Sequence, residues 1–177
     1  MKEEKIIENL KSKFDKEYQE AVNIILNNDE FKKRLTFHHH ENRSVYTHSL
    51  FVSFYSYKIA KIMHLDCRKT AIGGLLHDFY CDDWQTNPKK GIKNLHGFIH
   101  AKEAYKNTEI NFPEFSDEKI KDIIEKHMFP LTIKPPIYLE SWIVSLVDKA
   151  VSLEVLLYPK QWYKYIGLAL IFKGRIK

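Results

Sequence analysis

Cysteine is nearly absent from this chain of 177 residues: only Cys67 and Cys81 occur, too few for a disulfide framework. Such usage fits a reducing, cytoplasmic setting. Glycine and proline are scarce, at 6 each, which excludes long flexible linkers. No apolar run is long enough to span a bilayer. The first residues, Met1-Lys2-Glu3-Glu4-Lys5, are charged where a signal peptide would be apolar, so no membrane partner is expected. Basic runs are missing too. The net charge of +5 favours anionic partners, but the lysines are scattered and nucleic acid is not an expected one. With 44% hydrophobic and 29% charged residues, the chain has the composition of a globular protein. Its length suits one domain, residues 1–177, with a sizeable core.

Alternating segments are lacking as well, and helical periodicity fills the chain. Residues 3–27 place Ile7, Leu10, Phe14, Tyr18, Ala21 and Ile25 on one stripe, which predicts one long helix ended by Asn27-Asn28-Asp29. A short helical turn follows around Phe31 to Leu35. Ser44 caps a helix to about Met63, with Val45, Val52, Tyr55, Ile59 and Ile62 on its buried stripe. Asp66 caps the next, which ends at His77-Asp78. Residues 79–94 read as a surface loop. A helix over 96–107 carries His96, His100 and Ala104 on one face. Ser116-Asp117-Glu118 opens a helix that buries Ile120, Ile123, Ile124 and His127. Pro130, Pro135 and Pro136 mark a rigid connection. Residues 138–157 form an apolar helix around Asp148, and 161–172 a last one with Trp162, Tyr165, Ile166 and Ala169 on one side. The expected fold class is all-α.

Histidines and aspartates stand where this pattern calls for apolar residues. The stretch Leu75-Leu76-His77-Asp78-Phe79 sets an imidazole beside a carboxylate at the end of a buried run containing Gly73 and Gly74. Such a pair suits a divalent transition metal, and glycines let another element approach closely. His48, His100, His127 and Asp148 likewise lie on or beside apolar helix faces. Each alone fits a satisfied core residue or a helix cap. Together they are costly to bury unless they converge on a shared partner, and helical bundles build metal sites from inward side chains. Six such ligands exceed the needs of one open catalytic metal. Two ions bridged by a carboxylate would use them all, with Asp78 as the natural bridge.

In order and local context, Thr47-His48-Ser49, Leu75-Leu76-His77-Asp78 and Leu146-Val147-Asp148-Lys149 resemble the HD superfamily of metal-dependent phosphohydrolases. The resemblance covers about residues 40 to 155. It is closest to small stand-alone bacterial HD proteins, and HD-type hydrolases of diadenosine tetraphosphate are a second similar group. It implies a helical bundle with the metal centre between core helices. Two further histidines in that superfamily mark members with two metals, and His100 and His127 occupy those places. His96 is also alignable, one turn before His100. Ala101 and Ala104 favour His100 as the ligand, which leaves His96 a supporting or substrate-facing group. Many members carry a lysine three residues after the HD aspartate; here that position is Cys81, followed by Asp82 and Asp83.

The chemistry this implies is phosphoester hydrolysis. Two divalent ions (Fe, Mn, Ni, Co or Zn, with Mg also admissible) would acidify a bridging water and clamp the phosphoryl oxygens. The expected partner is a small phosphorylated substrate such as a nucleotide. Asp78 is the central catalytic residue. Arg43 binds phosphate or lies solvated, and the same two readings hold for Lys89, Lys90 and Lys93. Asp82 accepts a proton or caps a turn. Tyr80, Trp84 and Phe98 stack on a base or serve packing. His38-His39-His40 is either an incidental surface cluster or brings His40 to the site. The alternative function is a non-catalytic HD module that binds metal or nucleotide and signals through a partner. A helical domain with purely structural histidines is the third reading. Oligomeric state stays open.

Overall fold

The computed structural model describes residues 3–39, 43–80 and 96–152, with residues 38, 39, 43 and 96–99 described by backbone alone. The first surprise is a break. The stripe over residues 3–27 folds as two helices, α1 (Glu3–Lys11) and α2 (Lys16–Asn27). Asp15 makes the break, because its Oδ1 accepts the Tyr18 N–H at 2.9 Å as an N-cap and also the Tyr57 hydroxyl at 2.8 Å. Phe14 turns inward there and meets Tyr18 and Phe54, with ring centroids 4.5 and 5.1 Å away. A local stripe cannot reveal that a cap will gain a partner more than forty residues away.

Asn28 caps the short α3 (Asp29–Lys32), which runs into a 3₁₀ turn, Lys33–Leu35. The chain then doubles back: β1 (His38–His39) pairs antiparallel with β2 (Arg43–Ser44), a two-residue ladder in an otherwise all-α fold. Ser44 caps α4 (Val45–Ile62), as expected, with its Oγ accepting the Thr47 N–H at 3.2 Å. α4 is the central helix. Thr47, His48, Ser49, Leu50 and Phe51 are buried in succession, so neighbours surround it and its core side is no stripe. Ile62, expected on the buried face, is 51% exposed beside Met63, where the helix ends.

Asp66 caps α5 (Cys67–Leu76), its carboxylate accepting the Lys69 N–H at 3.0 Å. α5 lies against α4 at very short range. A Cβ placed on Gly74 would stand 3.0 Å from the Ser53 Cα, and one on Gly73 2.6 Å from the Ile123 Cγ2. The seam is also tied by polar groups, since Tyr18 donates to Ser53 at 2.8 Å and Ser53 donates to the Ala71 carbonyl at 2.7 Å. Phe79 and Tyr80 follow α5 and are buried, which corrects the reading of the segment from 79 onward as surface loop. Its remainder, 81–94, lies outside the described residues.

α6 (His96–Asn111) and a 3₁₀ turn (Pro113–Phe115) lead to α7 (Glu118–Lys126). Asp117 caps α7 by accepting the N–H groups of Lys119 and Ile120 at 2.9 and 3.1 Å. The start of α8 (Leu139–Ser152) is anchored from a distance, because Asp122 of α7 accepts the N–H of Ile137, just ahead of the helix, and the Ser141 hydroxyl at 2.9 and 2.7 Å. The rest of the expected helix to 157, and the segment 161–172, lie outside the described residues. Leu50, Val52, Leu75, Leu76, Ile123, Ile124 and Val144 are wholly buried where α4, α5, α7 and α8 meet. No described helix is long and apolar enough to cross a membrane.

Candidate metal centre

Five helices deliver the six candidate ligands to one buried point. α4 supplies His48 and α6 His100; His77-Asp78 follow directly on α5, His127 follows directly on α7, and α8 supplies Asp148. All six are at most 7% exposed. Their atoms interlock. The His48 Nε2 lies 3.0 Å from the Asp148 Oδ1 and 3.8 Å from the Asp78 Oδ2. The His77 Nε2 lies 3.3 Å from the Asp78 Oδ2 and 3.6 Å from the Asp148 Oδ1. The other oxygen of Asp78 faces elsewhere: Oδ1 is 3.4 Å from the His100 Nε2 and 3.7 Å from the His127 Nε2. One carboxylate thus presents one oxygen to each of two imidazole pairs. Ligands held at about 2.0–2.1 Å on one ion stand about 3.0–3.4 Å from each other, close to these spacings.

This run of side chains lies within residues 45–152, and those residues match the HD domain family. The chain belongs to that family. No curated protein and no solved structure matches it. The HD domain implies the superfamily of metal-dependent phosphohydrolases, most of whose members are hydrolases, and the buried His and Asp groups of this chain could hold a divalent metal.

The protonation states bear on that fit. The His77 Nδ1 donates to the Gly74 carbonyl at 2.8 Å, and the His127 Nδ1 donates to the Ile124 carbonyl at 2.7 Å. A backbone carbonyl accepts only, so these bonds fix both tautomers and leave each Nε2 with a bare lone pair in the neutral ring. The His77 Nε2 is wholly buried and has no hydrogen-bond partner. It faces two carboxylates, an arrangement that calls for a cation between them. Burial alone would keep His77 neutral, yet Asp78 and Asp148 push its pKa up to about 10. Burial, then the charges of His77 and His100, push His127 down to about 3. Burial would also raise the two carboxyls, but the imidazoles around them hold both well below the usual range. The His100 and His127 Nε2 atoms are 2.9 Å apart, and one shared cation would satisfy both. The donor set of imidazole and carboxylate fits a divalent transition metal.

The other expected site residues are less fully described. Arg43 has its backbone in β2 opposite His39, and His96 opens α6; neither side chain is described, nor is that of Phe98. Cys81, Asp82, Asp83, Trp84, Lys89, Lys90, Lys93 and His40 lie outside the described residues. Tyr80 is buried and meets the His100 ring edge-on at 6.0 Å, so it packs behind a candidate ligand. Arg34 was not foreseen at all. It is 2% exposed, with its guanidinium 4.4 Å from the Phe79 ring centroid and donating to the Tyr80 carbonyl. Asn107 donates to the Phe79 carbonyl at 2.8 Å. Together they clamp the two residues that follow Asp78. Nothing local marks Arg34 for this role, because its partners lie more than forty residues on.

Proposed function

We propose that the chain is a phosphohydrolase with a dinuclear centre, acting on a nucleotide or another small phosphate ester. One observation carries this reading: the two oxygens of Asp78 face separate imidazole pairs. His48, His77 and Asp148 with the Asp78 Oδ2 would hold one divalent ion, and His100 and His127 with the Asp78 Oδ1 the other. Bound there, the ions would supply an acidified water and positive charge for the phosphoryl oxygens.

The chain's own part is preparation. The carboxylates stay ionised and the Nδ1–H bonds aim the His77 and His127 Nε2 atoms inward; His77, held protonated by Asp78 and Asp148, would give up its Nε2 proton as an ion takes that place. Burial of all six ligands excludes bulk water and strengthens every charge interaction among them. No serine or cysteine nucleophile is required. Arg43, Lys89, Lys93 and His96 would bind the phosphate, and Asp82 would take a proton. The chain works in this reading as one domain around the centre.

Protein purified without tag or chelator and then loaded with Mn²⁺ or Fe²⁺ should hydrolyse members of a phosphomonoester and phosphodiester panel. Removing the metal should abolish the turnover. Full metal uptake with no turnover on any ester would instead support the non-catalytic binding module.

A further inference from the structure

The candidate ligands His127 and Asp148 come from different elements, and the residue after Asp148 reaches across to His127. The Lys149 Nζ donates to the His127 carbonyl at 2.8 Å, to the Ser145 carbonyl at 3.1 Å and to the Ser145 Oγ at 2.9 Å. An ammonium has three protons, and three acceptors surround this one. The Ser145 Oγ stands 2.7 Å from the same His127 carbonyl, which therefore has a donor for each of its lone pairs. We propose that Lys149, seconded by Ser145, is a positioning residue for the ion that His100 and His127 would hold. The proposal rests on the dinuclear reading above.

The last carbonyls of a helix have no partner within it, and the helix C-terminus carries partial negative charge. His127 is the residue at that end of α7, so its backbone would fray unless something held it. Its own ring takes the Ile124 carbonyl, and the Phe129 N–H takes that of Lys126 at 3.0 Å. Lys149 and Ser145 take the carbonyl of His127 itself, with a charge of the favourable sign. The ring then has little freedom: Nδ1 is tied below, the backbone is tied behind, and Nε2 faces Asp78. Because Lys149 is the residue after Asp148, α8 sets both sides of the centre from adjacent positions. Asp148 faces the His48 and His77 side directly, and Lys149 reaches the His127 side through one carbonyl.

Partners that orient a metal ligand change affinity by about 10- to 100-fold when removed. Lys149→Met keeps an unbranched stem of similar length and removes the three donors. In a titration of the metal-free protein with Mn²⁺ or Co²⁺, Lys149→Met should weaken uptake of one ion by about that factor and leave the other unchanged. Lys149→Arg can donate to the same carbonyl and should restore most of the loss. Ser145→Ala should give a smaller loss at the same ion, and it provides a second reading should Lys149→Met fold poorly. A lysine that only stabilised the fold would lower the metal-free melting temperature and weaken both ions in parallel, which overturns the proposal. So does a Lys149→Met titration that superimposes on the wild type at both ions. A wild type that takes up one ion only, with His127→Ala unchanged, overturns the dinuclear reading and this proposal together.

Discussion

Replacing Gly74 by alanine adds one methyl group at a seam where backbone meets backbone. The new Cβ would stand 3.0 Å from the Ser53 Cα and 3.3 Å from the Ser53 N, both backbone atoms that cannot swing aside. Carbon atoms pack at about 3.5–4.0 Å, so α4 and α5 must part by about 0.5–1 Å. The Ser53–Ala71 hydrogen bond, 2.7 Å long, crosses the same seam and would stretch to the edge of bonding range. Overpacking of this kind costs about 1–3 kcal/mol, and the better helix propensity of alanine offsets about 1 kcal/mol. At the middle of that range the net loss is about 1 kcal/mol, a fall in melting temperature of about 2–4 °C for a chain of this size. Metal binding should suffer as well, because α4 carries His48 and α5 carries His77 and Asp78. Thermal melting of metal-free protein reads the first effect and a metal titration the second. A Gly74→Ala variant as stable as the wild type, with unchanged metal affinity, would refute the argument: helix propensity would then outweigh the contact.

Two further predictions concern the periphery. His64 ends α4 in the left-handed region at φ 57°, where glycine has no penalty. His64→Gly should therefore stabilise by about 1 kcal/mol in a thermal melt, and a lower melting temperature would contradict this. Asp15 concerns acid stability. Burial would raise its pKa, but the Tyr18 N–H, Tyr57 and Lys61 lower it to about 2 from an ordinary 3.8. A depressed carboxyl adds stability that is present above its unfolded pKa and is lost as pH falls through the folded one, here from about pH 4 to about pH 2. Its side chain is 34% exposed, so screening reduces the contribution to about 1 kcal/mol. Asp15→Asn keeps the cap and removes the charge. Its stability deficit should shrink across that interval, and a constant deficit would contradict the linkage.

What could be read from the sequence was local or periodic. Ser44 and Asp66 were legible as caps, and Ser116-Asp117-Glu118 as a helix start, because Ser44, Asp66 and Asp117 each bond an N–H two or three residues on. The six candidate ligands stood out because each breaks an apolar helix face. The fold's non-local devices left no such trace. Asp15 caps α2 through the Tyr18 N–H, and its further partners, Tyr57 and Lys61, meet it across the fold. Asp122 looks like an ordinary surface acid, yet it anchors the start of α8 from α7. Arg34 has no local signal at all, and neither has the burial of Phe79 and Tyr80 that accompanies it. The circumferential burial of α4 escaped for a related reason: its serines satisfy the periodicity of an exposed face while their hydroxyls sit in the core.

The central claim is that Asp78 bridges two ions, and metal content per chain tests it most directly. Wild type and Asp78→Asn would be loaded with Mn²⁺, freed of excess ion and assayed by elemental analysis, with Asp66→Asn as a control that removes a carboxylate from a helix cap and a Lys119 pair and from none of the candidate ligands. Asparagine keeps the shape of Asp78 but removes the charge that offsets two dications. The account predicts about two ions in the wild type and in Asp66→Asn, and loss of both from Asp78→Asn. An Asp78→Asn protein that retains the full wild-type metal content would contradict it.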